Sequence, residues 1–365
     1  MSKNTFYLKY RPFQLDDMVG QFYTVSTFKQ ASINKRFVHS YLFGGIKGTG
    51  KTSIARIVAN LINCENPVNG SLCGKCIACT KIHDGSAVDI VELDGAKNGN
   101  VEHIQALIDS ARWSPSEFKK KIYIIDEAQQ LTDRAISALL KIVEEPPEHV
   151  VFIFCTTDVD KIPGTILSRS QKYTFSRIAA KDMVSRLRYI AENESIKITD
   201  SALYAIAKIG RGSMRDSIGC LEQIYTASGN NSVDESAVYK YYGMADRKGV
   251  FEIVKSIVEC NVSLLMDQVN DLMMSNADAK SILYEVSELF RSLMVMKAQK
   301  GVTKLIDLPD HEIQLLGTLG SSIKFSQLEK LSKAFSTIEK ELEYSINKRW
   351  VMESTLLKCS AYLRQ

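Results

Sequence analysis

Nowhere in these 365 residues does an uninterrupted apolar run reach the roughly 18 residues that a membrane-spanning helix requires. Residues 1–20 are mixed and polar, without the basic-then-apolar order of a secretory leader. No membrane partner is expected, and the cytoplasm is the expected compartment. Proline is scarce, at seven residues, and there is no Pro- or Ser-rich linker, low-complexity tail or internal repeat. Charge of one sign does not dominate. A net charge of +4 permits contact with nucleic acid without demanding it, because local patches decide. The length accommodates two or three domains.

What is present is concentrated. The apolar run Tyr41-Leu42-Phe43 leads into Gly44-Gly45-Ile46-Lys47-Gly48-Thr49-Gly50-Lys51-Thr52, and the helix-like stretch Ser53–Asn60 follows. Gly45-x-x-x-x-Gly50-Lys51-Thr52 is a complete P-loop in strand–loop–helix context. Its glycines let backbone N–H groups turn inward around phosphate oxygens, and the helix adds its positive end. Lys51 can reach the β- and γ-phosphates of ATP, and the Thr52 hydroxyl can hold Mg²⁺. Downstream, Ile122–Ile125 reads as a buried strand ending in Asp126-Glu127. Carboxylates at the carboxyl end of a parallel strand stand where such sheets bind ligands. Asp126 would support Mg²⁺ and Glu127 would polarise the attacking water, so the pair points to hydrolysis rather than storage of nucleotide.

Of eight cysteines, Cys155, Cys220, Cys260 and Cys359 are scattered in apolar or helical contexts and read as core residues. Cys64, Cys73, Cys76 and Cys79 crowd together as Cys-x₈-Cys-x₂-Cys-x₂-Cys. In a cytosolic ATPase that spacing indicates metal rather than disulfide. Four thiolates complete a tetrahedron and leave no open position, so the expected Zn²⁺ is structural. His83 stands nearby as a substitute ligand.

Strand and helix patterns alternate over residues 1–175. Strands are expected at Tyr41–Phe43, Val88–Leu93, Ile122–Ile125, Val150–Cys155 and Lys172–Phe175, with helices between them including Val101–Ala111 and Arg134–Val143. This predicts an α/β fold with a parallel five-stranded sheet covered on both faces. Beyond Ser176 the strand signals fade. Helices at Asp182–Asn193, Asp200–Ile209 and Ser213–Ala227 predict a small helical domain over 176–243. From 244 to 365 apolar residues recur at helical spacing, as in Val250, Ile253, Val254, Ile257 and Val258. No catalytic motif falls there, which favours a packing or assembly role.

Several local sequences then coincide in order. They are Tyr10-Arg11-Pro12 with Val19-Gly20-Gln21, the P-loop, the four-cysteine insert at 64–79, Asp126-Glu127-Ala128-Gln129, Glu144-Glu145-Pro146-Pro147, Thr156-Thr157-Asp158, Thr165-Ile166-Leu167-Ser168-Arg169 and Gly212-Ser213-Met214-Arg215-Asp216. Together they resemble the gamma/tau family of bacterial DNA polymerase III subunits, the AAA+ ATPase motors of sliding-clamp loaders. The likeness spans the chain, densely to about residue 245 and only architecturally beyond. The cysteine insert sets it apart from Holliday-junction motors.

The resemblance implies a nucleotide-binding AAA+ domain, a helical lid and a helical collar. It places Tyr10, Arg11, Pro12 and Val19 around the adenine, Gly45, Gly48, Thr49, Gly50, Lys51, Thr52 and Ser53 on the phosphates, and Thr157 and Arg215 as sensors near the γ-phosphate. It makes Arg169, at the end of the expected strand–loop unit Thr165-Ile166-Leu167-Ser168-Arg169, a finger reaching a neighbouring subunit's site. The family motif there usually reads Ser-Arg-Cys, whereas Ser168-Arg169-Ser170 stands here and keeps the guanidinium. The implied partners are other subunits of a heteropentamer joined through the collar, the sliding clamp, and primer-template DNA bound at its phosphates without sequence specificity. Lys97, in the loop after the second strand, is a candidate contact. The family's long form continues into helicase- and polymerase-binding segments, which are not expected here. Two rivals stand beside this reading: another AAA+ DNA motor of the junction-migration type, and a non-hydrolysing zinc-stapled scaffold, against which the intact P-loop and Asp126-Glu127 speak.

Overall fold

A computed structural model describes residues 5–229, 232–275, 277–298 and 310–364, with 306 and 308 besides. Two compact units divide the chain, Met1–Val233 and Asp234–Gln365.

The first unit is built on five parallel strands, β1 (Ser40–Gly45), β2 (Ile90–Asp94), β3 (Lys121–Asp126), β4 (Val150–Thr156) and β5 (Gln171–Phe175), in the spatial order β2-β3-β4-β1-β5. The five expected strands are all present, each within two residues of its expected bounds. Side chains alternate across the pleat. Tyr41, Phe43, Ile122, Ile124, Ile153 and Cys155 pack on one face beneath α3 (Lys51–Asn63), while Leu42, Tyr123, Ile125, Phe152 and Phe154 pack on the other. That second face is covered by α6 (Val101–Ala111) and α7 (Asp133–Glu144). Apolar residues on both faces explain why these strands read as near-continuous hydrophobic runs.

The helices start where capping chemistry permits. The Asn100 side chain accepts from His103 N at 3.1 Å to open α6, and Thr132 Oγ1 accepts from Ala135 N at 3.3 Å to open α7. Before the sheet lie α1 (Phe6–Lys9) and α2 (Phe22–Ile33), and α4 (Ile77–Asp84) closes the cysteine insert. Two expectations are corrected. Lys97 lies not in a loop but in a one-turn helix, α5 (Gly95–Asn98), which the Asp94 carboxylate caps through Ala96 N at 2.9 Å. Thr165–Arg169 is not part of a strand–loop unit but lies in α8 (Gly164–Arg169), because Pro163 suits a helix start and its carbonyl accepts from Ile166 N and Leu167 N.

Three further helices complete the unit: α9 (Ala180–Asn193), α10 (Asp200–Ile209) and α11 (Met214–Ser228). Leu187, Ile190, Leu203, Ile206 and Leu221 are among their buried residues.

Every regular element among the second unit's described residues is a helix. The unit comprises α12 (Glu235–Tyr242), α13 (Arg247–Val258), α14 (Val262–Met274), α15 (Ala279–Ala298), α16 (Asp310–Gly320), α17 (Phe325–Tyr344) and α18 (Lys348–Arg364). One apolar core joins α13 to α18, including Val254, Ile257, Val269, Val286, Leu316, Leu331 and Leu356. The helical spacing seen in the sequence is therefore the spacing of residues facing this core.

Candidate nucleotide site and metal centre

The carboxyl ends of β1 and β3 meet at one cavity of about 350 Å³, lined by the P-loop, Asp126, Glu127, Tyr7, Leu8, Tyr10, Arg11, Pro12, Met18, Val19, Ile178 and Arg215, while Thr157 at the end of β4 stands outside its lining. Each wall has a local cause. Gly45 sits at φ 148° and Gly48 at φ 76°, which side chains rarely adopt. A Cβ at Gly45 would run into the Phe175 carbonyl, and one at Gly48 into Ser213 Oγ. The loop therefore lies flat between β5 and the start of α11.

At the head of α3, Lys51 is buried, and its Nζ donates to the Gly45 carbonyl at 2.7 Å and the Ile46 carbonyl at 2.8 Å. Burial depresses the ammonium's pKa, which favours any arrangement that returns negative charge to it. Thr52 Oγ1 donates to Asp126 Oδ2 at 2.7 Å. The two oxygen ligands expected for Mg²⁺ thus stand side by side, a donor set suited to a hard cation. Asp126 Oδ1 accepts from Glu127 N at 3.0 Å, and Glu127 adopts a left-handed backbone at φ 49°. Glu127 leaves the strand direction there, and Thr157, one residue past β4, has its Oγ1 3.5 Å from Glu127 Oε2.

The other expected residues separate into two groups. Tyr10, Arg11, Pro12, Val19, Gly48, Thr49, Gly50, Ser53 and Arg215 line the same cavity as Lys51. Arg11 Nε donates to Ser53 Oγ at 3.4 Å, and burial lowers the guanidinium's pKa. Tyr10 is turned outward, bonding through its hydroxyl to Glu194 at the end of α9, while its carbonyl accepts from Arg186 at 3.1 Å. Arg215 reaches the cavity because α11 begins on the P-loop. The Gly48 carbonyl accepts from Met214 N at 3.0 Å and Arg215 N at 3.4 Å. The guanidinium lies 5.0 Å from the centre of the Tyr7 ring, a cation–π distance. Arg169 is elsewhere. It is half-exposed, pairs with Glu144 at 3.0 Å, and lines a different cavity with Lys119, Lys120 and Glu148.

Several residues escaped the sequence reading. Tyr7, Met18 and Ile178 line the cavity, and Ile178 packs 3.5 Å from the space a Cβ on Gly20 would occupy. None of the three carried a signal in the sequence; Tyr7, for example, meets Arg215, more than 200 residues away in the chain. Asp89, just before β2, is fully buried. Its carboxylate accepts from Ser116 N at 2.9 Å, Glu117 N at 2.7 Å and Phe118 N at 2.9 Å, pinning the chain that enters β3. Burial alone would raise its pKa, but these N–H groups prevail and hold it below the usual carboxylate range.

In the insert, the sulfurs of Cys64, Cys73, Cys76 and Cys79 lie within 4.8 Å of one another, the one such ligand group among the described residues. Cys73 and Cys79 are separated by 3.8 Å, and Cys79 and Cys64 by 3.7 Å. A tetrahedral site with Zn–S bonds of about 2.3 Å has edges of roughly 3.8 Å, so the donor set fits zinc. The backbone N–H of Lys75 leads in lowering the Cys73 thiol to about 6, while burial raises Cys64 and Cys79. His83 instead packs its ring edge-on against Phe13, 4.7 Å between centroids.

Three family models match the sequence: that of the DNA polymerase III delta subunit over residues 20–179, that of the DNA polymerase III clamp loader subunit ATPase lid domain over 182–230, and that of DNA polymerase III subunits gamma and tau domain III over 233–363. Among characterised relatives, the DNA polymerase III subunit tau of Bacillus subtilis is 33% identical over 98% of this chain and 63% of its own length. The Escherichia coli subunit tau is 32% identical over 99% of this chain and 56% of its own length. The DNA polymerase III subunit gamma of Buchnera aphidicola subsp. Baizongia pistaciae is 31% identical over 96% of this chain and 95% of its own length. The chain thus spans little more than half the length of the tau proteins and nearly all of this gamma protein. Among solved structures, the Thermotoga maritima RuvB Holliday junction branch migration motor superposes with a TM-score of 0.50 over 76% of this chain and 91% of its own, at 18% identity. That likeness concerns the fold.

Proposed function

The chain belongs to the DNA polymerase III gamma/tau family, and from that membership we propose that it is the ATP-hydrolysing subunit of a sliding-clamp loader. The observation that carries the reading is the pairing of Thr52 with Asp126 at 2.7 Å beneath the P-loop, in a cavity that also holds Lys51 and Arg215. A scaffold that never hydrolysed ATP would have no need of that combination.

In this reading Lys51 exchanges its two loop carbonyls for the β- and γ-phosphates. Thr52 and Asp126 hold Mg²⁺, which supplies charge neutralisation at the phosphates. Glu127 polarises the attacking water as general base. Thr157 and Arg215 sense the γ-phosphate, one from the sheet and one from the lid. Tyr7, Tyr10, Arg11, Pro12 and Val19 bound the adenosine side. Arg169, remote from the chain's own Lys51, serves a neighbouring subunit's site, where a guanidinium forks onto phosphate oxygens as charge shifts. The four thiolates of Cys64, Cys73, Cys76 and Cys79 close a structural zinc site. The helices of 244–365 assemble the heteropentamer, with 176–243 as the lid. ATP binding then organises the subunits to open the clamp and grip primer-template DNA at its phosphates, with Lys97 among the contacts.

The test is steady-state ATP hydrolysis by the assembled loader, with clamp and primed DNA added separately and together. The expected result is a rate with both that exceeds the sum of the separate stimulations. Equal rates in all four mixtures would overturn the clamp-loading reading.

A further inference from the structure

Gln129 ends two residues of chain beyond Glu127, within the single 3₁₀ turn Ala128–Gln130 that follows β3. Its carboxamide is held on both sides. Nε2 donates to Glu127 Oε2 at 2.7 Å and to Thr157 Oγ1 at 2.8 Å. Oε1 accepts from Thr156 Oγ1 at 2.7 Å and from Thr157 N at 3.4 Å. These partners decide which way the amide points. Flipped, it would set Nε2 against the Thr157 N–H and its oxygen against the Glu127 carboxylate. Thr156 is fully buried, and its hydroxyl, which accepts from Asp158 N at 3.0 Å, shares its one proton between Gln129 Oε1 at 2.7 Å and the Asp158 carbonyl at 2.9 Å.

Glu127 needs such a tether. Its left-handed backbone, φ 49°, takes it out of line with β3, so strand geometry does not aim its side chain. Gln129 engages Oε2 and leaves Oε1 to act. It also joins that carboxylate to the hydroxyl of Thr157, on the end of a different strand.

We propose that Gln129 is the positioning residue of the hydrolytic centre, clamping the Glu127 carboxylate to Thr157 so that the group that activates water and the group that reads the γ-phosphate move as one. The proposal rests on the reading of Glu127 as general base. Gln129 acts through these two side chains and not on the nucleotide. A network of this kind is worth more than its separate bonds and is apportioned by a double-mutant cycle.

The experiment uses the full chain in the assembled loader with clamp and primed DNA. Gln129→Met keeps the volume and removes every bond of the amide, and Gln129→Glu sets a second carboxylate against Glu127. With melting temperature unchanged, kcat is expected to fall roughly ten- to a hundredfold, less than the roughly 10²–10⁴ that a general base itself contributes, because Glu127 remains, while the KM for ATP stays within about twofold. In a Glu127→Gln background, adding Gln129→Met is expected to cost nothing further. Thr156→Val, which removes the hydroxyl that holds Oε1 together with its contacts to the Asp158 backbone, should lower kcat by a smaller factor and serves if Gln129→Met does not fold. The proposal is overturned by a Gln129→Met kcat within about twofold of wild type, by a loss carried wholly in KM, by the same loss in the Glu127→Gln background, or by wild-type kcat in Thr156→Val. Full activity in Glu127→Gln alone would instead remove the general-base reading on which it rests.

Discussion

Replacing Asp89 with Asn changes a single buried atom and should unsettle the route into β3. In the native carboxylate, Oδ2 accepts two N–H groups, from Glu117 and Phe118, and Oδ1 accepts one from Ser116. An asparagine can keep the pair only by turning its NH₂ toward Ser116 N, which sets donor against donor in a site with no solvent exposure. The least costly outcome therefore loses one charge-assisted bond and orphans one N–H, about 2–4 kcal/mol together. Urea unfolding followed by circular dichroism at pH 7 measures that loss in the transition of the sheet-bearing unit. The pH dependence supplies the sign. Asp89 is depressed in the fold, so its contribution is fully present above the unfolded carboxylate pKa of about 3.9 and is lost as pH falls through the lower folded value. The wild-type advantage over Asp89→Asn should hold from pH 7 to about pH 5 and shrink below about pH 4. Indistinguishable midpoints at pH 7, or a difference that persists unchanged to pH 3, would show that the three N–H bonds do not carry the stability assigned to them.

Other outcomes follow from the site. Lys51→Ala should abolish ATP hydrolysis without unfolding the chain, because the ammonium touches only loop carbonyls that can be solvated; wild-type turnover under the same assembly conditions would falsify the assignment of the loop. Tag-free protein should contain one zinc per chain, and chelation should loosen the 64–79 insert rather than unfold the whole; a metal content near zero with four freely titrating thiols would refute this. Arg169→Ala should leave ATP binding by the isolated subunit intact, yet cut hydrolysis by the assembly steeply, fingers acting in trans elsewhere supplying roughly 10³–10⁵ in rate. Mixed rings of Arg169→Ala and Lys51→Ala subunits should partly recover, and normal hydrolysis by Arg169→Ala with no recovery at any ratio would make the residue structural.

The parts legible in the sequence share a physical origin. β1, β3 and β4 are covered on both faces, so burial writes them as apolar runs, and the P-loop announces itself because its glycines answer local backbone demands. Val101–Ala111 and Asp200–Ile209 could be bounded to the residue because Asn100 and Thr199 cap them through neighbours three positions away. What stayed hidden depends on residues far apart in the chain. Asp89 looks like any polar residue before a strand until the 116–118 segment returns to it. Tyr7 and Ile178 border the cavity only once the amino-terminal segment and the start of the lid have been folded against it. Gln129 stood inside a recognised motif, but its role lies in contacts to the end of a strand more than twenty residues later. Arg169 was misplaced in secondary structure because a six-residue helix is too short to show periodicity, although Pro163 marked its start.

The junction at Gly48 bears on how this sequence can change over evolutionary time. One carbonyl serves as the seat of α11, and the missing Cβ of the same residue makes room for Ser213. Positions 48 and 213 are consequently not free to drift independently. A homologue that gains a side chain at 48 must also find a backbone able to hold φ near 76° and shed bulk at 213, and the Ser213 hydroxyl that opens α11 by accepting from Asp216 N would have to be replaced from elsewhere. Across related sequences the two positions should thus change together or not at all, a correlation between a loop and a helix more than 160 residues apart that neither element's own chemistry would call for.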